Sequence, residues 1–220
     1  MRSDNNDWPV WDWPVRVIHW YFPVAIGFMW WSAEQGEMLW HSRVGYSVLV
    51  LTLTRLVWGF VGSYHARFAS FLRAPKAVIA YLRGAPFSGV GHNPAGGWSA
   101  LLLLIFVSTQ AMSGLFASDD ILFEGPLAYW AGDWSSRIGA WHEVNWTILS
   151  TLVVLHLLAI SFYRFVKKEP LVSTMIRGRA LGRSSAYKPV AGFWALAVGS
   201  IITLILWALV YWAPVAPSYY

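Results

Sequence analysis

His142 and His156 stand fourteen residues apart in a stretch that is otherwise largely apolar. Fourteen residues make almost four α-helical turns, so both imidazoles leave one face of a helix, separated by about 21 Å along its axis. A neutral imidazole is the commonest metal ligand among side chains, and an ionisable group inside a membrane span marks a functional position by default. His19 and His41 recur near the ends of two earlier apolar stretches. The chemistry open to this set is the coordination of two metal centres at different membrane depths.

Composition supplies the setting. Of 220 residues, 57% are hydrophobic, 17% aromatic and only 12% charged, which is more apolar surface than a soluble domain of this size can bury. The chain reads as an integral membrane protein. It contains no cysteine, so disulfides, thiolate zinc sites, iron–sulfur clusters and covalent haem attachment are excluded, and a redox metal must arrive in a cofactor held by histidine. The net charge of +5 does not point to nucleic acid, because its basic residues gather in two loops.

Those histidines need helices to hold them. Five apolar stretches, near residues 15–32, 44–61, 98–116, 145–165 and 193–212, approach or exceed the roughly 20 helical residues that cross a hydrocarbon core. The first does not read as a cleavable signal: Asp4, Asp7 and Asp12 precede it, and Glu34 and Glu37 stand where small residues would be needed. Pro23 within it predicts a bend. Trp8, Trp11, Trp13, Trp30, Trp31, Trp40, Trp130, Trp134, Trp141, Tyr211 and Trp212 crowd the span ends and read as an aromatic belt at the two headgroup layers.

Loop charge sets the expected orientation. The second connection carries Arg67, Arg73, Lys76 and Arg83 with no acid, and the fourth carries Arg164, Lys167, Lys168, Arg177, Arg179, Arg183 and Lys188 against Glu169 alone. The opposite side holds Glu34, Glu37, Asp119, Asp120, Glu124, Asp133 and Glu143 against Arg43 and Arg137. The basic loops are therefore expected in the cytoplasm, with the N-terminus inside and the C-terminus in the periplasm. Residues 66–83 mix apolar and basic side chains, as either an interfacial segment or a solvated loop would.

With that topology His41 and His142 share the outer depth, and His19 and His156 the inner one. Each pair offers two axial nitrogens from different helices, the arrangement that holds both faces of a haem iron inside a bundle. Such six-coordinate iron favours electron transfer over ligand binding. The plainer reading is of isolated histidines bonded to carbonyls or water. His65 and His92 are left over and are expected at water or lipid headgroups.

The run Val10-Trp11-Asp12-Trp13-Pro14-Val15-Arg16-Val17-Ile18-His19-Trp20 resembles the opening of the bacterial cytochrome b561 superfamily. His41-Ser42-Arg43-Val44-Gly45, the segment from Arg55 to Ser63, Ala66-Arg67-Phe68-Ala69-Ser70-Phe71 and Gly91-His92-Asn93-Pro94-Ala95-Gly96-Gly97 look like further segments of it. The nearest likeness is to the b-type cytochrome subunits associated with nickel–iron hydrogenases. The resemblance runs from about residue 10 to 166; the fifth span has no diagnostic motif. It implies two non-covalent b haems ligated by His19, His41, His142 and His156. Gly45 would leave room for a porphyrin or for close helix packing. Arg16, Arg43 and Arg55 are candidates for haem propionates, with snorkelling the alternative for Arg55. Asn93 is a candidate quinone contact or a helix-starting turn residue.

The expected protein is an all-α, single-domain membrane bundle in which four helices hold two haems and a fifth flanks them. It would carry electrons between a periplasmic redox protein, a hydrogenase-type subunit or a cytochrome c, and the quinone pool, as a redox subunit more than a stand-alone enzyme. Two alternatives are a self-contained, superoxide-type quinone oxidoreductase and a haem-free metal or solute transporter.

Overall fold

Asp12 starts the first long helix, α1 (Trp13–Glu34), its carboxylate accepting the Val15 N–H at 3.1 Å, while Pro14 occupies the first turn, where no intrahelical N–H is needed. Pro23 lies inside α1 without ending it. A turn with Gly36 at φ 69°, a left-handed conformation that suits glycine, reverses the chain into α2 (Met38–Val61). The two helices are antiparallel: Asp12 meets Trp58, Tyr21 meets Ser47, and the Met29 carbonyl meets His41.

The computed structural model describes residues 7–119, 123–181 and 189–214; Asp4, Asp120, Arg183 and Lys188 lie outside the described residues. After α2 come a 3₁₀ turn (Tyr64–Ala66), α3 (Phe68–Phe71) and α4 (Pro75–Leu82). Next is α5 (Pro94–Phe116), which Asn93 caps by accepting the Gly96 N–H at 2.7 Å. A short α6 (Ala128–Ala131) and a second 3₁₀ turn (Gly132–Trp134) lead into α7 (Ser135–Phe165), then α8 (Leu171–Arg177) and α9 (Phe193–Tyr211).

Met38–Val61, Pro94–Phe116, Ala128–Phe165 and Phe193–Tyr211 are long and apolar enough to cross a membrane. α1 has the length, at 22 residues, but Trp13, Trp20, Tyr21, Trp30, Trp31, Arg16 and His19 dilute its apolar content. Its place is set by packing against α2. α7 starts ten residues before the expected span at 145, because apolarity marks the hydrocarbon slab and not the helix. Its 31 residues extend about 46 Å, well beyond a 30 Å core.

α2 is the hub, packing against α1, α5 and α9, with α7 against α5. At mid-depth α1, α2, α5 and α7 contribute one buried apolar residue each, Ala25, Val48, Val107 and Leu149. α9 flanks this bundle by seating Leu206 against Leu49 and Leu115. The result is a multi-pass helical membrane bundle.

Two features depart from the sequence expectation. A two-stranded antiparallel clasp, β1 (Asp7–Pro9) with β2 (Arg179–Leu181), ties the N-terminal segment to the chain following α8, and the Val10 and Trp11 N–H groups both donate to the Gly178 carbonyl. Trp11 does not belong to the aromatic belt. It is buried with Val10, Val15, Trp58, Ala66 and Ala195 at the end where α1 begins, since the clasp folds it under the chain. Trp13, Trp30, Trp31, Trp40, Trp130, Trp134, Trp141, Tyr211 and Trp212 are exposed, as lipid-facing rings would be.

Candidate functional site

His41 lies in the first turn of α2, and His142 two turns into α7, at the end where α1 turns into α2. Their ring centres are 6.4 Å apart with planes inclined by 68°. Two imidazoles bonded through Nε2 to one metal ion at about 2 Å put their ring centres about 6 Å apart.

Hydrogen bonds settle which nitrogen of each ring is free. The His41 Nδ1 lies 3.0 Å from the Met29 carbonyl, which can only accept, so that nitrogen carries the proton. Ser32 gives its own proton to the same carbonyl at 3.1 Å and lies 3.3 Å from His41 Nδ1. Ser113 likewise donates to the Gln110 carbonyl at 3.0 Å, leaving its oxygen to accept from His142 Nδ1 at 2.9 Å. Both rings therefore keep a lone pair on Nε2, the form in which imidazole binds a metal.

The backbone makes room for this arrangement. A Cβ at Gly114 would stand 3.2 Å from His142 Cε1, so a side chain there would press on the ring. A Cβ at Gly45 would meet only Met29 Cε, at an ordinary 3.5 Å, so helix packing does not demand glycine at that position. One turn below His142, the fully buried Asn145 accepts from Thr109 Oγ1 at 2.8 Å and donates to the Phe106 carbonyl at 3.0 Å and to Gln110 Oε1. This clamp locks α7 to α5, with every polar group of the amide side chain engaged.

His19 and His156 lie at the opposite end, within electrostatic reach of each other. The His19 Nδ1 is buried without a hydrogen-bond partner among the described residues. Leu149 is seven residues from each α7 histidine, so the Ala25, Val48, Val107 and Leu149 layer separates the two levels. Among the described residues no group of three or more His, Cys, Asp or Glu side chains converges. Two imidazoles at each level fit a metal whose other ligands a cofactor would supply, as a haem would.

The arginines separate. Arg16 donates to the carbonyls of Met175, at 3.3 Å, and Ile176, holding the end of α8 to α1. Arg43 is exposed and stacks over Trp40 at 5.1 Å. Arg55 is only 6% exposed, and its Nη1 has no hydrogen-bond partner among the described residues. The Asn93 side chain caps α5 through Oδ1 and donates from Nδ2 to the Tyr163 hydroxyl at 3.0 Å, which in turn pairs with the Tyr81 hydroxyl.

His65 and His92, expected at water or lipid headgroups, are half-buried at the same end as His19. His65 lies edge-on to Tyr64, and burial lowers its pKa. His92 is held between Trp11, at 4.7 Å, and Phe71, at 4.6 Å. Burial, helped by the Arg55 charge, lowers its pKa to about 3, so its ring is neutral at neutral pH. Composition cannot foresee this, because the partners of His92 come from segments remote in sequence. Asp12 and Trp58 also went unassigned; the Trp58 Nε1–H donates to Asp12 Oδ2 at 2.8 Å, and only the Asp-Trp-Pro helix start hinted that Asp12 had a role.

A family model described as prokaryotic cytochrome b561 matches residues 10–178. A probable Ni/Fe-hydrogenase B-type cytochrome subunit of Bradyrhizobium diazoefficiens is 26% identical over 159 residues, covering 63% of this chain and 64% of the relative. Proteins of the same description from Azotobacter chroococcum and Azotobacter vinelandii are 23% and 25% identical over 157 and 160 residues, each match covering 63% of this chain and 65% of the relative. The chain therefore spans just under two thirds of the length of these curated relatives. No solved structure matches it.

Proposed function

The chain belongs to the prokaryotic cytochrome b561 family of membrane b-type cytochromes, and from that premise we propose that it is a di-haem electron conduit between a periplasmic redox protein and the quinone pool. The observation that carries this reading is the His41–His142 pair: ring centres at 6.4 Å, both Nδ1 protons committed to protein acceptors, both Nε2 lone pairs free. His19 and His156 form the second pair, at the other end of the bundle.

Haem b, when bound, supplies a one-electron ferric/ferrous couple. The chain's own residues do the rest. His19, His41, His142 and His156 would hold the haems, a donor set that would favour electron transfer over the binding of a small ligand. Met29, Ser32 and Ser113 fix ring tautomer and orientation, the contribution that tunes a metal through its ligands. The apolar layer at Leu149 keeps water from the space between the levels. Of the three arginines, this reading gives a propionate contact to Arg55, while Arg16 and Arg43 support the scaffold.

The N-terminal end of α1 is assigned to the cytoplasm on the basic residues of the connections after α2 and α7. Quinone is assigned to that end, beside the polar chain of Asn93, Tyr163 and Tyr81. The acids Glu34, Glu37, Glu124 and Asp133 face the periplasm in this orientation and favour a partner with a positive docking surface. The relatives named as hydrogenase cytochrome subunits make a hydrogenase the first partner to test.

The deciding experiment is a pyridine haemochrome assay with a reduced-minus-oxidised spectrum on the purified chain. Two b haems per chain are expected. A folded preparation that stays free of haem when haem is supplied would overturn the reading.

A further inference from the structure

Three side-chain atoms are buried without a hydrogen-bond partner among the described residues: His19 Nδ1, Arg55 Nη1 and His92 Nδ1. All three lie at the end where α1 begins, and His92 is within electrostatic reach of both Arg55 and His19. A buried donor without an acceptor is costly, and a buried charge without a partner more so.

The surrounding side chains relieve Arg55 only in part. Its guanidinium lies 5.6 Å from the Phe68 ring centre. Asp12 feels its charge, but commits Oδ1 to the Val15 N–H and Oδ2 to the Trp58 indole. His92 is wedged between Trp11 and Phe71 and is not free to swing toward another acceptor. The open Nη1 of a buried cation and the open, buried Nδ1 of a half-buried neutral imidazole suit an anion that accepts from more than one direction. A carboxylate has that charge and that acceptor geometry.

We infer that Arg55 and His92 together form a carboxylate-receiving site for one propionate of the haem held by His19 and His156. The inference rests on the di-haem reading and deepens it. Arg55 supplies the charge, and Asp12 with Trp58 acts as the positioning group beneath it. His92 supplies a second contact from the loop between α4 and α5, so cofactor binding would hold that loop against the bundle.

The test compares haemin with haemin dimethyl ester, whose propionates can neither ionise nor accept as carboxylates do. Each is titrated into the purified full-length chain, as wild type and in a His41→Ala background where only the His19–His156 level binds, with helical content followed by circular dichroism. Arg55→Gln and His92→Phe are the variants; phenylalanine preserves the ring packing against Trp11 and Phe71. Wild type is expected to bind haemin about tenfold or more tightly than the diester. Each variant should lose much of that preference while binding the diester as wild type does. Variants that bind haemin as tightly as wild type, or that lose haemin and diester in equal measure, overturn the site. A folded wild-type chain that takes up neither compound refutes the di-haem reading itself, so the two failures are distinguishable.

Discussion

Ser113 illustrates how much one hydroxyl decides. With its proton on the Gln110 carbonyl, its oxygen accepts from His142 Nδ1, and that arrangement leaves the lone pair of the ring on Nε2. Ser113→Ala should leave the fold intact, weaken haem binding at the His41–His142 level by about 10–100-fold and shift the midpoint potential of that haem alone. Potentiometric titration of the two haems checks this; an unchanged potential at both levels would remove Ser113 from the site. The histidines themselves were legible in the sequence, because residue type and fourteen-residue spacing survive without a structure. Their hydrogen-bond partners were not: Met29 and Ser113 are an ordinary apolar residue and an ordinary hydroxyl until α1 is laid beside α2 and α5 beside α7.

Elements impose the next constraint, and Asp12 serves two of them. It caps α1 and anchors the indole of Trp58 near the end of α2, tying the helix that carries His19 to its neighbour. Asp12→Ala removes the cap and leaves a buried indole N–H unpartnered, a loss of about 1–3 kcal/mol. Asp12→Asn keeps one acceptor oxygen for the Val15 N–H but turns an amide NH2, which cannot accept, toward the Trp58 N–H, so it should recover only part of the loss, as thermal denaturation in detergent would report. Full stability of Asp12→Asn would mean that the hydrogen bond to Trp58 contributes little. The helix start was readable from Asp12 and Pro14, whereas the pairing with Trp58, 46 residues away, was not. The early start of α7 was hidden for a different reason. Arg137, His142 and Glu143 lower local apolarity, yet the helix continues through them beyond the depth a hydrocarbon core requires.

For the whole molecule the open matter is direction across the membrane. The chain lacks cysteine, so single cysteines report cleanly on sidedness. In intact cells stripped of outer membrane, Gln35→Cys, in the exposed turn between α1 and α2, should react with a membrane-impermeant thiol reagent. Ala85→Cys, in the exposed connection before α5, should react only after lysis. The reverse pattern would invert the topology and exchange the faces proposed for quinone and redox partner. The amino-acid sequence by itself determined the membrane class, most of the long helices, the histidine set and a family likeness. The first three rest on composition, periodicity and spacing, which are local properties of a chain in an apolar solvent, and the likeness rests on ordered motifs between Val10 and Gly97. Tertiary structure alone decided that Trp11 is packed inside, that His92 is held between Trp11 and Phe71, that Arg16 is spent on α8, and that Arg55 keeps a buried donor open. Each of those outcomes depends on segments far apart in sequence being brought together, and the hydrophobic driving force that brings them together carries no record of which polar atoms will be left unpaired.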